Sequence, residues 1–288
     1  MTTPPDPHLD PAVLDPPVLD FYQLGQEQQR LADPRRSIEY LRTMDVLERN
    51  LPPAPARILD IGGGPGRYAL ALAAAGHDVT LVDPLPLHVQ QAADASSLSA
   101  DRPLAAATVG DARALPEPDA SFDAVLLLGP LYHLPDAGDR HRAWTEAARV
   151  LRPGGVAVAA GASRYYTAWE MLAAGKLDLP GALDTAVGHL RTGRHDNPGG
   201  DPRMWTTAYF HDPHELAAEA AAARLGVRAR LPVEGPAKLI PGIGGMLQDP
   251  ARREEILYLL RLLEGRPSVL GTSEHVLVVA VAAREGRP

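Results

Sequence analysis

The chain has 288 residues, enough for one large domain or a core domain with an elaborated cap, and 45% apolar with 22% charged residues is the composition of a globular protein with a packed core. The absence of cysteine excludes disulfides, thiolate nucleophiles and Cys-ligated zinc, and a formal charge of -8 argues against a nucleic-acid polymer and for a small-molecule substrate. No apolar run approaches the ~20 residues that span a bilayer, and the first twenty residues lack the basic start and apolar centre of a signal peptide, so a cytoplasmic protein without a membrane partner is expected.

Six prolines in the first seventeen residues deny that segment regular hydrogen bonding and predict an extended or flexible arm over residues 1–20. Residues 21–52 read as a helical cap. Helical spacing begins near "FYQLGQEQQRL", and a second helix starts at Asp33 and Pro34, with Tyr40, Met44, Leu47 and Leu51 as its apolar stripe. From there to residue 162, short apolar β runs alternate with helices: "RILDI", "DVTLVD", "LAAATV", "FDAVLLL" and "GVAVAA", with "RYALALAAAG", "LHVQQAAD" and "DAGDRHRAWTEAARVL" between them. This alternation predicts an α/β fold, doubly wound, around a mostly parallel sheet covered on both faces.

After Ser163 the alternation lapses. Residues 163–211 carry Gly/Pro breaks beside large side chains, including Trp169 and Trp205, and read as a loop-rich lid over a substrate site. Residues 212–288 complete the core: Asp212, Pro213 and Glu215 cap the helix "HELAAEAAAARLG", "VRARLPVE" is a sixth strand, Asp249 and Pro250 start another helix, and "EHVLVVAVA" is the seventh strand.

The stretch "LDIGGGPGR" lies at the first strand-to-helix turn, where open α/β sheets bind ligands. Glycines there let main-chain atoms approach a cofactor closely, and Asp83 at the end of the second strand can receive ribose hydroxyls. To that point a nicotinamide dinucleotide and an adenosyl cofactor are equally served. Three details separate them. The third glycine of G-x-G-x-x-G, counted from Gly62, is replaced by Arg67, which is unfavourable beside a pyrophosphate. Asp60, two residues before Gly62, is poorly matched to a diphosphate but suits the cationic groups of S-adenosylmethionine. Asp111, just after the third strand, can meet an adenine edge.

Taken in order, "LDIGGGPGRYALALAAAGHDVTLVDP", "GDARALP", "FDAVLLLGPLYHL" and "ARVLRPGG" resemble the successive motifs of class I S-adenosylmethionine-dependent methyltransferases of the small-molecule type, over roughly residues 57–160. The resemblance implies a Rossmann-like seven-stranded core and S-adenosyl-L-methionine as cofactor. The loop with Asp60, Gly62, Gly63 and Gly64 would carry its methionine end, Asp83 the ribose, and Asp111 with Ala112 the adenine. Pro84 would add an apolar contact. It also implies that Leu128 and Gly129 pass the cofactor, that Tyr22 lies across its open side, and that Tyr132 and His133 face the substrate.

Methyl transfer from a sulfonium needs alignment, dehydration and, for some acceptors, removal of a proton, so no nucleophilic triad is required. His133 is the candidate general base, since an imidazole titrates near neutrality. Tyr165, Tyr166, Trp169, Tyr209 and His211 are the further candidates for the acceptor pocket. His211 and His214 sit at i, i+3, but the residues between them are explained by helix capping, and no metal is expected. The expected reaction moves a methyl group to a small acceptor, in keeping with secondary metabolism. The alternatives are a non-methyl reaction on the same cofactor such as cyclisation, a dinucleotide-dependent oxidoreductase, and a non-catalytic binding subunit. A homodimer is the base-rate expectation for assembly.

Overall fold

The computed structural model describes residues 37–98, 102–197 and 206–284. The proline-rich arm, Tyr22, the helix start at Asp33 and Pro34, and Trp205 lie outside the described residues. Helix α1 (Ser37–Asn50) precedes β1 (Arg57–Ile61), α2 (Arg67–Ala74), β2 (Asp78–Asp83), α3 (Pro86–Ser97), β3 (Ala106–Val109) and β4 (Phe122–Leu127). A short 3-10 turn, Leu131–His133, leads to α4 (Ala137–Val150) and β5 (Leu151–Ala162). The sheet order is β3-β2-β1-β4-β5-β9-β8, with β8 (Gly226–Pro232) at the edge and β9 (His275–Val281) antiparallel to both its neighbours. This is the expected seven-stranded, mostly parallel, doubly wound sheet.

Burial on both faces explains why the strands read as continuous apolar runs. On one face Leu59, Val125, Leu127, Trp144 and Ala147 form a core with α4, and on the other Ile58, Leu81, Leu126 and Val158 pack under α2 and α1. Among the described residues no helix is long and apolar enough to cross a membrane.

The segment after β5 departs from the loop-rich expectation. Ser163 accepts from the Tyr165 backbone N–H and caps α5 (Arg164–Ala173), and Gly181 and Gly193 bracket α6 (Ala182–Thr192) in left-handed conformation. A two-stranded ribbon, β6 (Arg194–His195) with β7 (Ala208–Tyr209), returns the chain to the core. Buried Tyr166 and Met171 give α5 an inner face, while Trp169 on the same helix is half exposed. Asp212 and Glu215 form the expected reciprocal cap of α7 (Pro213–Ala222).

The α1 stripe is also not the apolar one expected. Its most buried positions include Arg42, Thr43 and Asp45 as well as Ile38, Val46 and Leu47, while Tyr40, Met44 and Leu51 are half-buried. Arg42 is fully buried, pairs with Asp45 and donates to Glu264 at 2.8 Å and to the Val233 carbonyl at 3.3 Å. Arg49 and Arg261 join the same carboxylates, tying α1 to the C-terminal end of α8 (Pro250–Leu263). A helix whose inward face is polar pairs with one specific partner, because each buried charge needs its counter-ion.

Two predictions follow from this packing. Arg42→Met breaks the buried network while Asp45 keeps Arg49 and Arg261, and should destabilise by about 3 kcal/mol, lowering Tm by roughly 5–10 °C in thermal unfolding. Beneath α6, His189 Nε2 lies 2.8 Å from His195 Nδ1, and burial, followed by the neighbouring imidazole, pushes His189 down to about 3. A base held below its unfolded value favours the fold above pH ~6.5 and loses that contribution as pH falls toward 3. Divided by the intrinsic rate at each pH, amide exchange in α6 should therefore show protection falling between pH 7 and 5, and His189→Gln should flatten that dependence.

Candidate functional site

The sheet order reverses between β1 and β4, and a cavity of about 280 Å³ opens beyond their carboxyl ends. Its wall comes from residues 62–65 after β1, 83–85 after β2, 111–113 after β3 and 128–130 after β4, with Tyr132, His133 and Arg194 also contributing. Asp60, Gly62, Gly63, Gly64, Asp83, Pro84, Asp111, Ala112, Leu128, Gly129, Tyr132 and His133 all lie on this wall.

The glycine loop is bare because it has no room. A Cβ on Gly63 would meet Asp60 Oδ2 at 2.7 Å and Leu81 Cδ1 at 2.8 Å, and Gly62 takes φ 67° with Pro130 against it. The Gly62 N–H donates to the Val82 carbonyl at 2.7 Å and the Gly64 N–H to Asp83 Oδ2 at 2.8 Å. Arg67, where a dinucleotide fingerprint has glycine, begins α2 with its guanidinium 4.3 Å from the centre of the Tyr40 ring. That position therefore joins α2 to α1.

Asp60 is the exceptional group. It is 1% exposed, and neither carboxylate oxygen accepts a hydrogen bond among the described residues. Burial, then the Asp83 charge, pushes it up to about 7, and the nearby Ala69 backbone opposes this least. A buried carboxyl with no donor is costly unless a ligand supplies a cation or a hydrogen-bond donor.

The other acids are already engaged. Asp83 also accepts from the Leu85 N–H at 3.0 Å, and its Oδ1 lies 3.1 Å from His88 Nδ1. Asp111 is gripped by Arg113, which donates to Oδ1 at 2.9 Å and to Oδ2 at 2.5 Å and reaches Asp139 at 3.1 Å. A ligand at Asp111 must share the carboxylate with that guanidinium. The Tyr132 hydroxyl donates to the Leu128 carbonyl at 3.4 Å, and the His133 ring stands edge-on to Tyr132 at 4.7 Å.

The expected acceptor residues after β5 lie elsewhere. Tyr165 donates to Asp212 on the outer side of α5, Tyr166 is buried in the helix packing, and Trp169 is half exposed. Tyr209 is held under Arg140, whose guanidinium sits 3.7 Å from the ring centre, and its hydroxyl donates to Glu215 at 3.0 Å. His211 is drawn inward by its bridge to Ser163, and its Nε2 lies 3.4 Å from Glu219. Burial holds this imidazole below its ordinary value although Glu219 opposes it. None of these five side chains lines the cavity. Glu39, His88 and Arg194 line it instead, and none of them belongs to a local motif.

Asp60→Asn provides a test with two opposed signs. An acid whose folded pKa is raised destabilises the fold as pH climbs from its unfolded value through about 7, so the variant should melt a few degrees higher at pH 8 without ligand. Affinity for a cationic ligand should rise with pH through 7 in the wild type and fall by about tenfold or more in the variant, measured by calorimetric titration.

A family model describing a methyltransferase domain matches residues 58–155. An uncharacterized methyltransferase of Mycobacterium tuberculosis strain H37Rv is 38% identical over 129 residues, 45% of this chain and 45% of the relative. The 27-O-demethylrifamycin SV methyltransferase of Amycolatopsis mediterranei is 40% identical over 116 residues, 40% of this chain and 42% of the relative. The chain thus spans less than half the length of these curated relatives. A crystal structure of an S-adenosylmethionine-dependent methyltransferase from Methanosarcina mazei superposes with a TM-score of 0.55 at 20% identity, over 83% of this chain and 98% of that one. The motif series, the cavity at the sheet's switch point and these likenesses agree: residues 58–155 match a methyltransferase domain, and the chain has the fold of S-adenosylmethionine-dependent methyltransferases.

Proposed function

We propose that this protein moves the methyl group of S-adenosyl-L-methionine to a small-molecule acceptor of secondary metabolism. The observation that carries this reading is Asp60: a buried carboxyl without a donor, beside a bare glycine loop, on the wall of the cavity. The donor set fits the cofactor. Asp60 and residues 62–64 would hold its methionine end, Asp83 with Pro84 the ribose, and Asp111 with Ala112 the adenine, leaving Leu128 and Gly129 beside the sulfur. When bound, the cofactor supplies an activated methyl on a sulfonium, a leaving group that needs no acid.

The chain's own residues then orient and desolvate. Asp60 becomes a carboxylate in the presence of a cation, because an opposite charge lowers a pKa that burial has raised. Tyr132 and His133 would form the wall that an acceptor meets, with Leu128, Pro130 and Leu134 as apolar neighbours on the same wall. The relative named for 27-O-demethylrifamycin SV supports a small-molecule acceptor.

The choice between methyl transfer and its rivals is experimental. S-Adenosylmethionine and S-adenosylhomocysteine should each raise Tm, by about 2.7 kcal/mol of stabilisation at a hundred times Kd, while NAD leaves it unchanged. With an acceptor panel that includes 27-O-demethylrifamycin SV, one S-adenosylhomocysteine should appear per product. Stabilisation by NAD alone would point to an oxidoreductase, and product without S-adenosylhomocysteine would point to a non-methyl reaction.

A further inference from the structure

Of the carboxylates on the cavity wall that the cofactor motifs leave unassigned, Asp136 caps α4 and Asp139 pairs with Arg113 and Arg142, which leaves Glu39. Glu39, in the first turn of α1, lines the cavity with Asp60, Tyr68 and Tyr132. One carboxylate oxygen of Glu39, one of Glu234 and one ring nitrogen of His275 lie within 4.8 Å of one another. His275 begins β9 at the sheet's ligand-bearing edge, opposite Ala162, and its ring centre is 6.4 Å from that of Tyr132.

Glu234 fixes His275 in place. It is fully buried and accepts from Ser273 Oγ at 2.9 Å, from the His275 backbone N–H at 3.0 Å and from His275 Nδ1 at 2.7 Å. Burial alone would lower the imidazole, but Glu39 and then Glu234 overcome it and push His275 up to about 9. Glu274, itself paired with Lys238, adds to the same field. His275 is therefore a cation at neutral pH. It serves as the counter-ion behind Glu39, not as a base. Nδ1 is committed to Glu234, and the Lys238 ammonium is paired with Glu274, which leaves Glu39 the carboxylate facing the cavity.

An acidic group on a cavity wall is by itself ambiguous, but Asp60 removes the ambiguity. It is nine-tenths buried and more, unpartnered, and opens into the same cavity, which is therefore built for a ligand bearing positive charge and hydrogen-bond donors. Asp60 belongs to the glycine loop. Glu39 reaches the cavity from the α1 side, with Tyr68 and Tyr132 beside it.

We propose that Glu39, positioned by the His275–Glu234 pair, is the acceptor-side carboxylate of this cavity and binds the proton-bearing heteroatom that receives the methyl group. This rests on the methyl-transfer reading above. In the step itself, the heteroatom lone pair forms the new bond to carbon, and the carbon–sulfur bond breaks with its electron pair left on sulfur. The heteroatom proton passes to a Glu39 oxygen and then to solvent. Proton uptake thus falls to Glu39 rather than to His133, whose ring stands against Tyr132.

Sinefungin carries an ammonium where S-adenosylmethionine carries its methyl, and S-adenosylhomocysteine carries nothing there, so their affinity ratio reports what faces that position. Calorimetric titration should show Glu39→Gln weakening sinefungin by about tenfold with S-adenosylhomocysteine unchanged, the size of one charge-assisted hydrogen bond. Without any ligand, the NMR titration of the His275 ring should have its midpoint near 9 and move down in Glu39→Gln. A normally melting Glu39→Gln protein with an unchanged ratio, or an unchanged His275 midpoint, would overturn the proposal. Failure of the wild type to bind either adenosyl ligand would instead remove the methyl-transfer reading, and the proposal with it, while the His275 titration still reported on the cluster.

Discussion

A carboxyl group buried without a hydrogen-bond donor is among the most expensive features a small domain can keep, and Asp60 is such a group. Its position follows from the sheet. The residue before the last in β1 must point into a core face, yet it sits where the strand order reverses and backbone opens a cavity. The loop beside it stays free of side chains because any Cβ on Gly63 would strike the carboxylate. Stability is given up at this point, a pattern expected of binding sites in marginally stable proteins.

The same economy explains Arg67. In a dinucleotide fold the start of the first helix must approach the sheet, and glycine permits it. Here the first helix is fastened to α1 through the Arg67–Tyr40 stack and the adjoining Tyr40–Tyr68 stack at 5.6 Å. The element that closes one side of the cavity is thereby locked to the element that carries the glycine loop.

Features written in neighbouring residues were legible in the sequence. β2 coincides with "DVTLVD", the α7 cap with Asp212 and Glu215, and the cavity wall with the motifs that end β1 to β4, because period, capping and turn chemistry act over a few positions. Features that depend on distant partners were not. Arg42 reads as a surface residue until Glu264 and Val233 arrive beside it, and Glu39 has no local signature that distinguishes it from any first-turn acid. The aromatic residues after β5 misled for the same reason. Tyr209 and His211 are large and partly polar, which suits a substrate pocket, but Arg140 and Arg164 engage Tyr209 and Glu219 lies beside His211 inside the fold, while Tyr166 is buried on the inner face of α5.

The reversed strand β9 has a consequence for how the molecule is made. It lies between β5 and β8, so neither can complete its hydrogen bonding until residue 281 has left the ribosome. Until then the growing chain leaves an edge of β5 and an edge of β8 without hydrogen-bond partners, the kind of surface that pairs with the wrong neighbour. The last strand brings His275 with it, so sheet closure and assembly of the Glu39–His275–Glu234 cluster are one event. A polypeptide halted before β9 thus keeps two unpaired strand edges and lacks the His275 that stands beside Glu39, and a long-range closure of this kind is slow.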